Sequence, residues 1–359
     1  MVNKHILFLF PIGQNVPTGG LKMVYDYSDR LIRAGNSVTI AYAAYFASTD
    51  KTLARKIKAV AKYLYAKLKL NRNGYTWYEK DWQIKEEIVL KLNYNQLPKA
   101  DVYVATAVCT APYVAEFPVE DNRKFYFIQG YESFVVPDDS FIRWTYRLPL
   151  KKIVISEWLG RLVAEEGQTS LVVPNGFNPE LYKLTIPVMK KDKFLVSMLY
   201  HVNENKDCQT GMMADAIARE QIPELKLVMF GAYPEPQGLP EWVTYYQKPS
   251  YEKHLEINNQ AAIYLGCSKK EGWGLTVGEA MMCGQAVVCT DIDGYKEMAV
   301  DGGNALLAPV GNAEALARCI VKLVNDDALR HKLAERGIES IKKFEIEESY
   351  SLFRGYILN

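Results

Sequence analysis

Apolar and polar positions alternate along the chain in blocks that predict strands and helices in turn. Short apolar runs, typical of strands buried in parallel sheets, are followed by polar, glycine-containing loops and by segments whose apolar residues have helical spacing. Such runs lie at 6–11, 37–42, 101–105, 124–129, 151–156, 194–200, 225–231, 261–265 and 286–289. The alternation predicts an α/β protein with Rossmann-like, doubly wound parallel sheets. A length of 359 residues suits two domains of about 150–200 residues each.

The composition is that of a globular protein, with 49% apolar and 24% charged residues. The net charge of +1 gives no electrostatic argument for nucleic acid. No apolar run approaches the ~20 residues of a membrane span, and the start of the chain shows no signal-peptide cleavage pattern. The six cysteines are scattered, without a C-x-x-C pair or nearby histidines. We therefore expect reduced thiols, no structural metal site and a cytoplasmic protein.

Residues 50–75 combine positive charge with helical spacing of apolar residues. Asp50 is the only acidic residue there, against eight lysines and arginines. The apolar residues on the helical repeat are Leu53, Ile57, Val60, Leu64 and Leu68. Two interpretations stay open: a basic amphipathic helix lying on the anionic inner face of a membrane, or a helix packed on its own domain with a solvated lysine face.

The stretch 268–297 is the most informative part of the chain. An apolar run ends in small residues, a glycine-broken loop Glu271-Gly272-Trp273-Gly274 follows, and a helix-forming run begins at Leu275. A strand, a glycine-rich turn and a helix N-terminus together offer free backbone amides to an anion such as phosphate. Glu271 and Glu279 flank this turn, and carboxylates beside a phosphate site suit hydrogen bonds from sugar hydroxyls. The pattern therefore predicts a site for a phosphorylated, polyhydroxylated ligand.

Glu271 to Glu279 resembles the E-x7-E motif of retaining GT-B glycosyltransferases, particularly glycosyltransferase family 4. The flanking residues agree, with Glu-Ala-Met at 279–281, Cys283-Gly284 and Asp293-Gly294. The resemblance implies a GT-B fold, in which two Rossmann-like domains face each other across a cleft. It also implies that Glu271 holds hydroxyls of the transferred sugar, and that Glu279 holds the ribose of a nucleotide-diphosphate donor. The amides of the loop through Gly272, Trp273, Gly274 and Leu275 would bind its diphosphate.

Other segments resemble the same family. Gly19-Gly20 resembles its N-terminal glycine loop, which faces the donor diphosphate. Pro174-Asn175-Gly176 resembles the P-N-G segment that ends the first domain, which makes Asn175 a donor-site candidate. The resemblance places a first, acceptor-side domain at 1–178 and a second, donor domain at 179–343. The last segment, 344–359, resembles a terminal helix that returns to the first domain.

Two positions depart from the family pattern. Lys206 fits a diphosphate-gripping lysine, but His201 stands where relatives commonly have an arginine, and a histidine is a weaker donor at neutral pH. Gln129 or Gly130 occupies the place of a histidine near the reacting sugar. The Gln-Gly-Tyr-Glu turn is instead similar to that of rhamnosyltransferase-like members, which makes Glu132 a candidate catalytic residue.

The resemblance implies transfer of a hexose or deoxyhexose, with retention, from a nucleotide-diphosphate sugar to a hydroxyl of a glycan or lipid-linked acceptor in cell-surface polysaccharide biosynthesis. Asp291-Ile292-Asp293 is interpreted as a structural turn rather than a metal site, so no metal and no cofactor are expected. Domain closure would exclude water from the donor. The alternative from another class is a non-catalytic nucleotide-sugar-binding partner subunit, with Gln129 and His201 as signs of decay.

Overall fold

The computed structural model describes residues 3–13, 15–50, 52–73, 77–79, 83–133 and 135–359. The chain divides into two compact units, residues 1–174 with 347–359 and residues 175–346. Among the expectations above, Lys51 and residues 74–75 at the ends of the basic stretch lie outside the described residues. So do the side chains of 69–73.

The first unit is built on seven parallel strands, which are β1 (His5–Pro11), β2 (Ser37–Ala43), β3 (Lys85–Val89), β4 (Val102–Ala105), β5 (Lys124–Ile128), β6 (Lys151–Val154) and β7 (Ser170–Val172). Its helices are α1 (Gly19–Arg33), α2 (Leu53–Asn73), α3 (Ala111–Ala115), α4 (Asp139–Tyr146) and α5 (Glu157–Glu165). The sheet order is β3-β2-β1-β4-β5-β6-β7. The order reverses between β1 and β4, so this sheet has a topological switch point there.

The second unit repeats this plan with six parallel strands, which are β8 (Asp192–Leu199), β9 (Lys226–Gly231), β10 (Val243–Gln247), β11 (Ala261–Gly266), β12 (Ala286–Thr290) and β13 (Ala305–Ala308). Its helices are α6 (Cys208–Gln221), α7 (Tyr251–Gln260), α8 (Leu275–Met282), α9 (Asp293–Lys296), α10 (Ala313–Asn325) and α11 (Asp327–Ile341). The order β10-β9-β8-β11-β12-β13 puts the switch point between β8 and β11. The predicted fold class is confirmed.

The central strands are apolar because both faces of each sheet are covered by helices. In β1 the residues from Ile6 to Leu9 are fully buried, and in β11 Ile263 and Leu265 are fully buried as well. The parts of each sheet that the helices leave open are therefore the ends of the strands, where loops and helix N-termini meet. Ligand sites of such sheets lie at the carboxyl ends of the strands.

The last helix, α12 (Ile346–Leu358), contributes to the first unit from Glu347 onwards. Its Phe353 ring is fully buried and stacks on Tyr27 with ring centroids 4.7 Å apart. Phe353 also lies 5.3 Å from the Phe127 ring. The C-terminal helix is thus part of the core of the first unit.

The boundaries between the units differ slightly from those expected at 178 and 343. The Phe177 amide donates to the Phe344 carbonyl at 2.8 Å, and the Ile346 amide donates to the Phe177 carbonyl at 3.0 Å. These bonds join Phe177 to 344–346, and both segments belong to the second unit. Residues just before β8 are also folded, since the buried Lys191 ammonium donates to the Asn258 carbonyl at 3.1 Å.

No helix among the described residues is both long and apolar enough to cross a membrane.

Candidate functional site

Two loops at the switch point of the second unit carry the predicted charged residues. One follows β8 and ends in a short 3-10 turn, Glu204–Lys206, and the other follows β11 and runs to Gly274. The strands β8 and β11 are neighbours, so the loops leave the sheet side by side. The Lys269 amide joins them by donating to the Asn205 carbonyl at 2.7 Å.

Lys206 and Glu271 form an ion pair between these loops. The Lys206 ammonium lies 2.5 Å from Glu271 Oε1. The Ser268 hydroxyl donates to the same oxygen at 2.8 Å, and the Tyr295 hydroxyl donates to Ser268 Oγ at 2.9 Å. The Glu271 side chain is 14% exposed and that of Lys206 is 26% exposed. The site therefore presents a positioned, charge-compensated pair that remains open to a ligand.

His201 belongs to the same cluster and is neutral. Its Nδ1 accepts from the Asn203 amide at 2.9 Å, so Nε2 carries the proton. Burial and the nearby Lys206 lower the pKa of His201 to about 4. The ring packs edge-on against Tyr233, with centroids 4.7 Å apart. His201 thus offers an uncharged N–H donor where an arginine would have offered a fixed charge.

The turn into α8 requires glycine at position 274. Gly274 has φ of 101°, and a Cβ there would lie 2.6 Å from the Tyr295 ring. This left-handed residue lets α8 begin at Leu275, where the first amides have no partner inside the helix. The N-terminus of α8 can therefore donate hydrogen bonds to an anion.

Glu279 lies on α8 and is 6% exposed. Within the part of the chain that the structure describes, its carboxylate has no hydrogen-bond or ion-pair partner. A buried carboxylate without a partner is costly. It is a strong acceptor for ligand hydroxyls.

Two further predicted residues lie inside the second unit. Trp273 is 2% exposed and meets the Phe344 ring edge-on at 4.9 Å. Asn175 is 4% exposed. The indole N–H of Trp273 and the Oδ1 atom of Asn175 are both buried, with no hydrogen-bond partner among the described residues. The Trp273 ring therefore packs beneath the loop 271–274 and holds it against Phe344.

A separate cluster lies at the switch point of the first unit. Gly19 and Gly20 open α1 directly after the β1 loop. A Cβ on Gly20 would lie 3.1 Å from the side-chain nitrogen Nε2 of Gln129, a residue that follows β5. Glu132 accepts from the Val108 amide at 2.8 Å, and burial raises the pKa of this carboxyl to about 7. The first unit thus holds a half-buried carboxyl that gains a proton near neutral pH.

Asp291 and Asp293 both pair with Lys296, at 3.0 Å and 3.6 Å. Among the described residues no group of three or more histidine, cysteine, aspartate or glutamate side chains is arranged to hold a metal ion. These two aspartates therefore have a structural partner in Lys296, the last residue of α9.

The sequence analysis missed two aromatic residues of the site in the second unit. Tyr295 supports both the Ser268 hydroxyl and the backbone of Gly274, and Tyr233 packs on His201. The signal for Tyr295 was the preceding Gly294, where a Cβ would lie 2.3 Å from the Glu271 carbonyl oxygen. A glycine at that position indicates that another backbone approaches closely.

Comparison with known proteins places the second unit in a family. Residues 186–340 match the family of glycosyl transferases group 1. EpsD of Bacillus subtilis (strain 168), which is named as a glycosyltransferase, is 27% identical over 217 residues, covering 53% of this chain and 56% of EpsD. The phosphatidyl-myo-inositol mannosyltransferase of Mycobacterium leprae (strain TN) is 23% identical over 271 residues, covering 72% of this chain and 69% of that protein. The match thus spans little more than half the length of EpsD.

Solved structures with the same fold cover nearly the whole chain. HepE of Anabaena, solved in complex with UDP and glucose, has a TM-score of 0.73 at 17% identity, with 99% of this chain and 100% of that chain covered. TarM has a TM-score of 0.74 at 12% identity, with 99% of both chains covered. At these identities the likeness concerns the fold.

The two parallel-sheet units and these structural neighbours define the class as GT-B proteins. Within this fold, the second unit carries a domain of the glycosyl transferases group 1 family, at residues 186–340. The group 1 domain includes the Lys206–Glu271 pair.

Proposed function

We propose that the protein transfers a sugar from a nucleoside-diphosphate donor to a hydroxyl of a glycan or lipid-linked acceptor, with retention of configuration and without a metal ion. The observation that carries the proposal is the Lys206–Glu271 pair, at 2.5 Å, at the switch point of the second unit. A lysine that is held by a carboxylate and still open to solvent is suited to receive a diphosphate. Hydroxyls of the donor sugar would then replace Lys206 as the hydrogen-bond donors to Glu271.

The second unit supplies the groups that a leaving diphosphate requires. Lys206 contributes a full positive charge, His201 a neutral N–H, and the first amides of α8 a set of oriented dipoles. Such preorganised donors stabilise charge that develops on the departing phosphate oxygen, and one of them is typically worth a factor of about 10² to 10³ in rate. The unpaired carboxylate of Glu279 would accept hydrogen bonds from the ribose.

The first unit supplies a second group of candidates. Gly19 and Gly20 leave the backbone bare at the N-terminus of α1, where amides can bind phosphate. Glu132, with a pKa of about 7, is suited to accept a proton from an acceptor hydroxyl near neutral pH. We assign this proton-accepting role to Glu132.

Donor binding is tested by thermal shift with UDP-, dTDP- and GDP-sugars, each with and without EDTA. At about 100 times Kd, the stabilisation is near 2.7 kcal/mol. We expect a shift with one nucleotide base that EDTA leaves unchanged. Glu279→Gln and Lys206→Ala should remove it, and Lys332→Ala, at an exposed lysine of α11, serves as the matched control.

Turnover is then tested with the donor that binds, by measuring release of the nucleoside diphosphate and the anomeric configuration of the product by NMR. Retention of the donor configuration supports the proposal, and inversion contradicts it. A protein that binds the donor but releases no nucleoside diphosphate with any glycan or lipid-linked acceptor is instead the non-catalytic binding partner.

A further inference from the structure

The helix α2 presents a stripe of large apolar side chains to solvent. Its exposed members are Leu53 (74%), Ile57 (61%), Val60 (43%), Leu64 (54%), Tyr65 (63%) and Leu68 (75%). A surface helix normally turns such a stripe towards the core of its domain. An apolar patch of this kind on a folded protein usually marks an interaction surface.

The same helix contacts its own unit through a different side. Its buried side chains, as far as Leu68, are Ala59 and Ala66, which are 5% and 3% exposed. At about 100° per residue, these alanines lie on one side of the helix and the leucine stripe lies on the opposite side. The stripe is therefore not the side of α2 that packs on the core, because Ala59 and Ala66 already form that side.

Basic residues border the stripe. Lys56, Lys58 and Lys67 are all exposed, and Lys56 and Lys67 lie on one flank of the stripe while Lys58 lies on the other. The sequence contains no acidic residue from Lys51 to Tyr78. The surface of α2 thus combines an aliphatic stripe with a positive border, as interfacial membrane helices do.

We propose that α2 lies in the interfacial plane of an anionic lipid bilayer, with the stripe from Leu53 to Leu68 inserted among the acyl chains. The bordering lysines would contact the lipid headgroups. A second copy of the chain is disfavoured as the occupant, because pairing two α2 stripes would bring two positive borders together without an acidic partner. The aliphatic stripe likewise lacks the stacked aromatic rings of a nucleic-acid surface.

This membrane surface rests on α2 alone and does not depend on the chemistry of the second unit. If both proposals hold, α2 would bring the first unit to a lipid-linked acceptor. The two can fail separately, because a variant such as Glu271→Gln is expected to lose transfer while binding vesicles like the unaltered protein.

The test is cosedimentation of the full chain with vesicles of phosphatidylcholine alone or with about 30% phosphatidylglycerol, a fraction sufficient for a negative surface potential. We expect binding to the anionic vesicles that weakens at high salt, and at least tenfold weaker binding to the neutral ones. The double variant Ile57→Ser/Leu64→Ser should bind the anionic vesicles at least tenfold more weakly. Leu352→Ser, at a leucine on α12 that is 48% exposed, is the matched control and should bind normally.

A charge variant separates the two components of the surface. Lys56→Ala/Lys58→Ala should weaken anionic binding by about tenfold or more and reduce its salt dependence. Thermal unfolding of every variant checks that the exposed substitutions leave the fold intact. Should a variant fail to fold, the lipid and salt dependence of the unaltered protein still decides.

Three results would overturn the proposal. The first is no binding of the unaltered protein to anionic vesicles at low salt, or equal binding to neutral ones. The second is normal vesicle binding by a folded Ile57→Ser/Leu64→Ser variant. The third is a dimer in sedimentation that this variant dissociates, together with no vesicle binding, which would assign the stripe to a second copy.

Discussion

In the second unit the carboxylate of Glu271 accepts hydrogen bonds from Lys206 and Ser268, whereas in the first unit Glu132 accepts one from the Val108 amide. No cation among the described residues pairs with Glu132. Both carboxyl groups lie at the carboxyl edge of a doubly wound sheet, near its switch point. The same fold therefore carries a carboxylate paired with a lysine in the second unit, Glu271, and a carboxyl without a cationic partner among the described residues of the first unit, Glu132.

The difference has a functional sense. A group that must hold a charged diphosphate is best positioned in advance, as Lys206 is by its bond to Glu271. A group that must exchange a proton is best kept near its neutral point, as burial does for Glu132, whose pKa it raises to about 7.

The two units differ most in the space around a helical glycine near each site, Gly278 in the second unit and Gly20 in the first. A Cβ on Gly278 of α8 would lie 2.0 Å from the Phe177 ring, whereas one on Gly20 meets the mobile end of Gln129 at 3.1 Å. We expect Gly278→Ala to destabilise the second unit by about 3 kcal/mol, and Gly20→Ala to cost less than about 1 kcal/mol. Urea unfolding measures both free energies.

Gly355→Ala on α12 is the control, because its nearest non-neighbouring atom would be 4.0 Å away. It should be neutral or slightly stabilising. Adding Phe177→Leu to Gly278→Ala should restore part of the loss. An undiminished loss in the double variant would contradict the role of the ring.

Glu132 should make the protein less stable as the pH rises. Its carboxyl has a pKa of about 7 in the fold against 4.5 as the ordinary value, so the folded state binds more protons between these values. Stability is therefore lost as the pH rises from 4.5 to 7. We expect Glu132→Gln, relative to the unaltered protein, to gain about 2 kcal/mol between pH 4.5 and 8, after allowance for partial exposure.

The measurement for Glu132→Gln is urea unfolding at both pH values. Glu335→Gln, on the exposed face of α11, provides the matched control with no expected change between the two. A constant stability difference between Glu132→Gln and the unaltered protein across this window would show that Glu132 is ionised throughout.

His201 should have the smallest effect, and of the opposite sign. Its pKa is about 4 in the fold against 6.5 ordinarily, so the unfolded chain binds the proton first. Stability is present above pH 6.5 and is lost as the pH falls towards 4, by about 1 kcal/mol for a half-buried ring. His201→Gln should narrow the difference in unfolding free energy between pH 7.5 and 4.5 by that amount. A wider difference would refute a neutral His201.

The sequence predicted the interior strands of both sheets. Their continuous apolar runs are typical of strands that are buried on both faces. It missed the four edge strands, β3, β7, β10 and β13, of which β3, Lys85–Val89, has the charged sequence KEEIV. The lysine-rich segment 183–193 is folded onto the second unit, since Lys191 is buried against the carbonyls of α7 and the Thr185 amide donates to Asn259 Oδ1 at 2.7 Å.

The candidate site was predictable as a set of residues but not as a geometry. The glycine-broken loop and helix start identified Glu271, Gly274 and Glu279 from local sequence alone. The ion pair of Glu271 with Lys206 joins residues 65 positions apart, and only the sheet order brings them together. Tyr295 supports Gly274 from a later loop, and its indirect sequence signal is the adjacent Gly294.

The central claim, that Lys206 is the diphosphate-binding cation and Glu271 its partner, is tested most directly by calorimetric titration with UDP, dTDP and GDP in EDTA. We predict that one of them binds, that Lys206→Ala weakens its binding by at least tenfold, and that Glu271→Gln leaves it unchanged or tighter, since the lysine is then released. Equal binding by Lys206→Ala and the unaltered protein, or no binding of any of the three, would contradict the account.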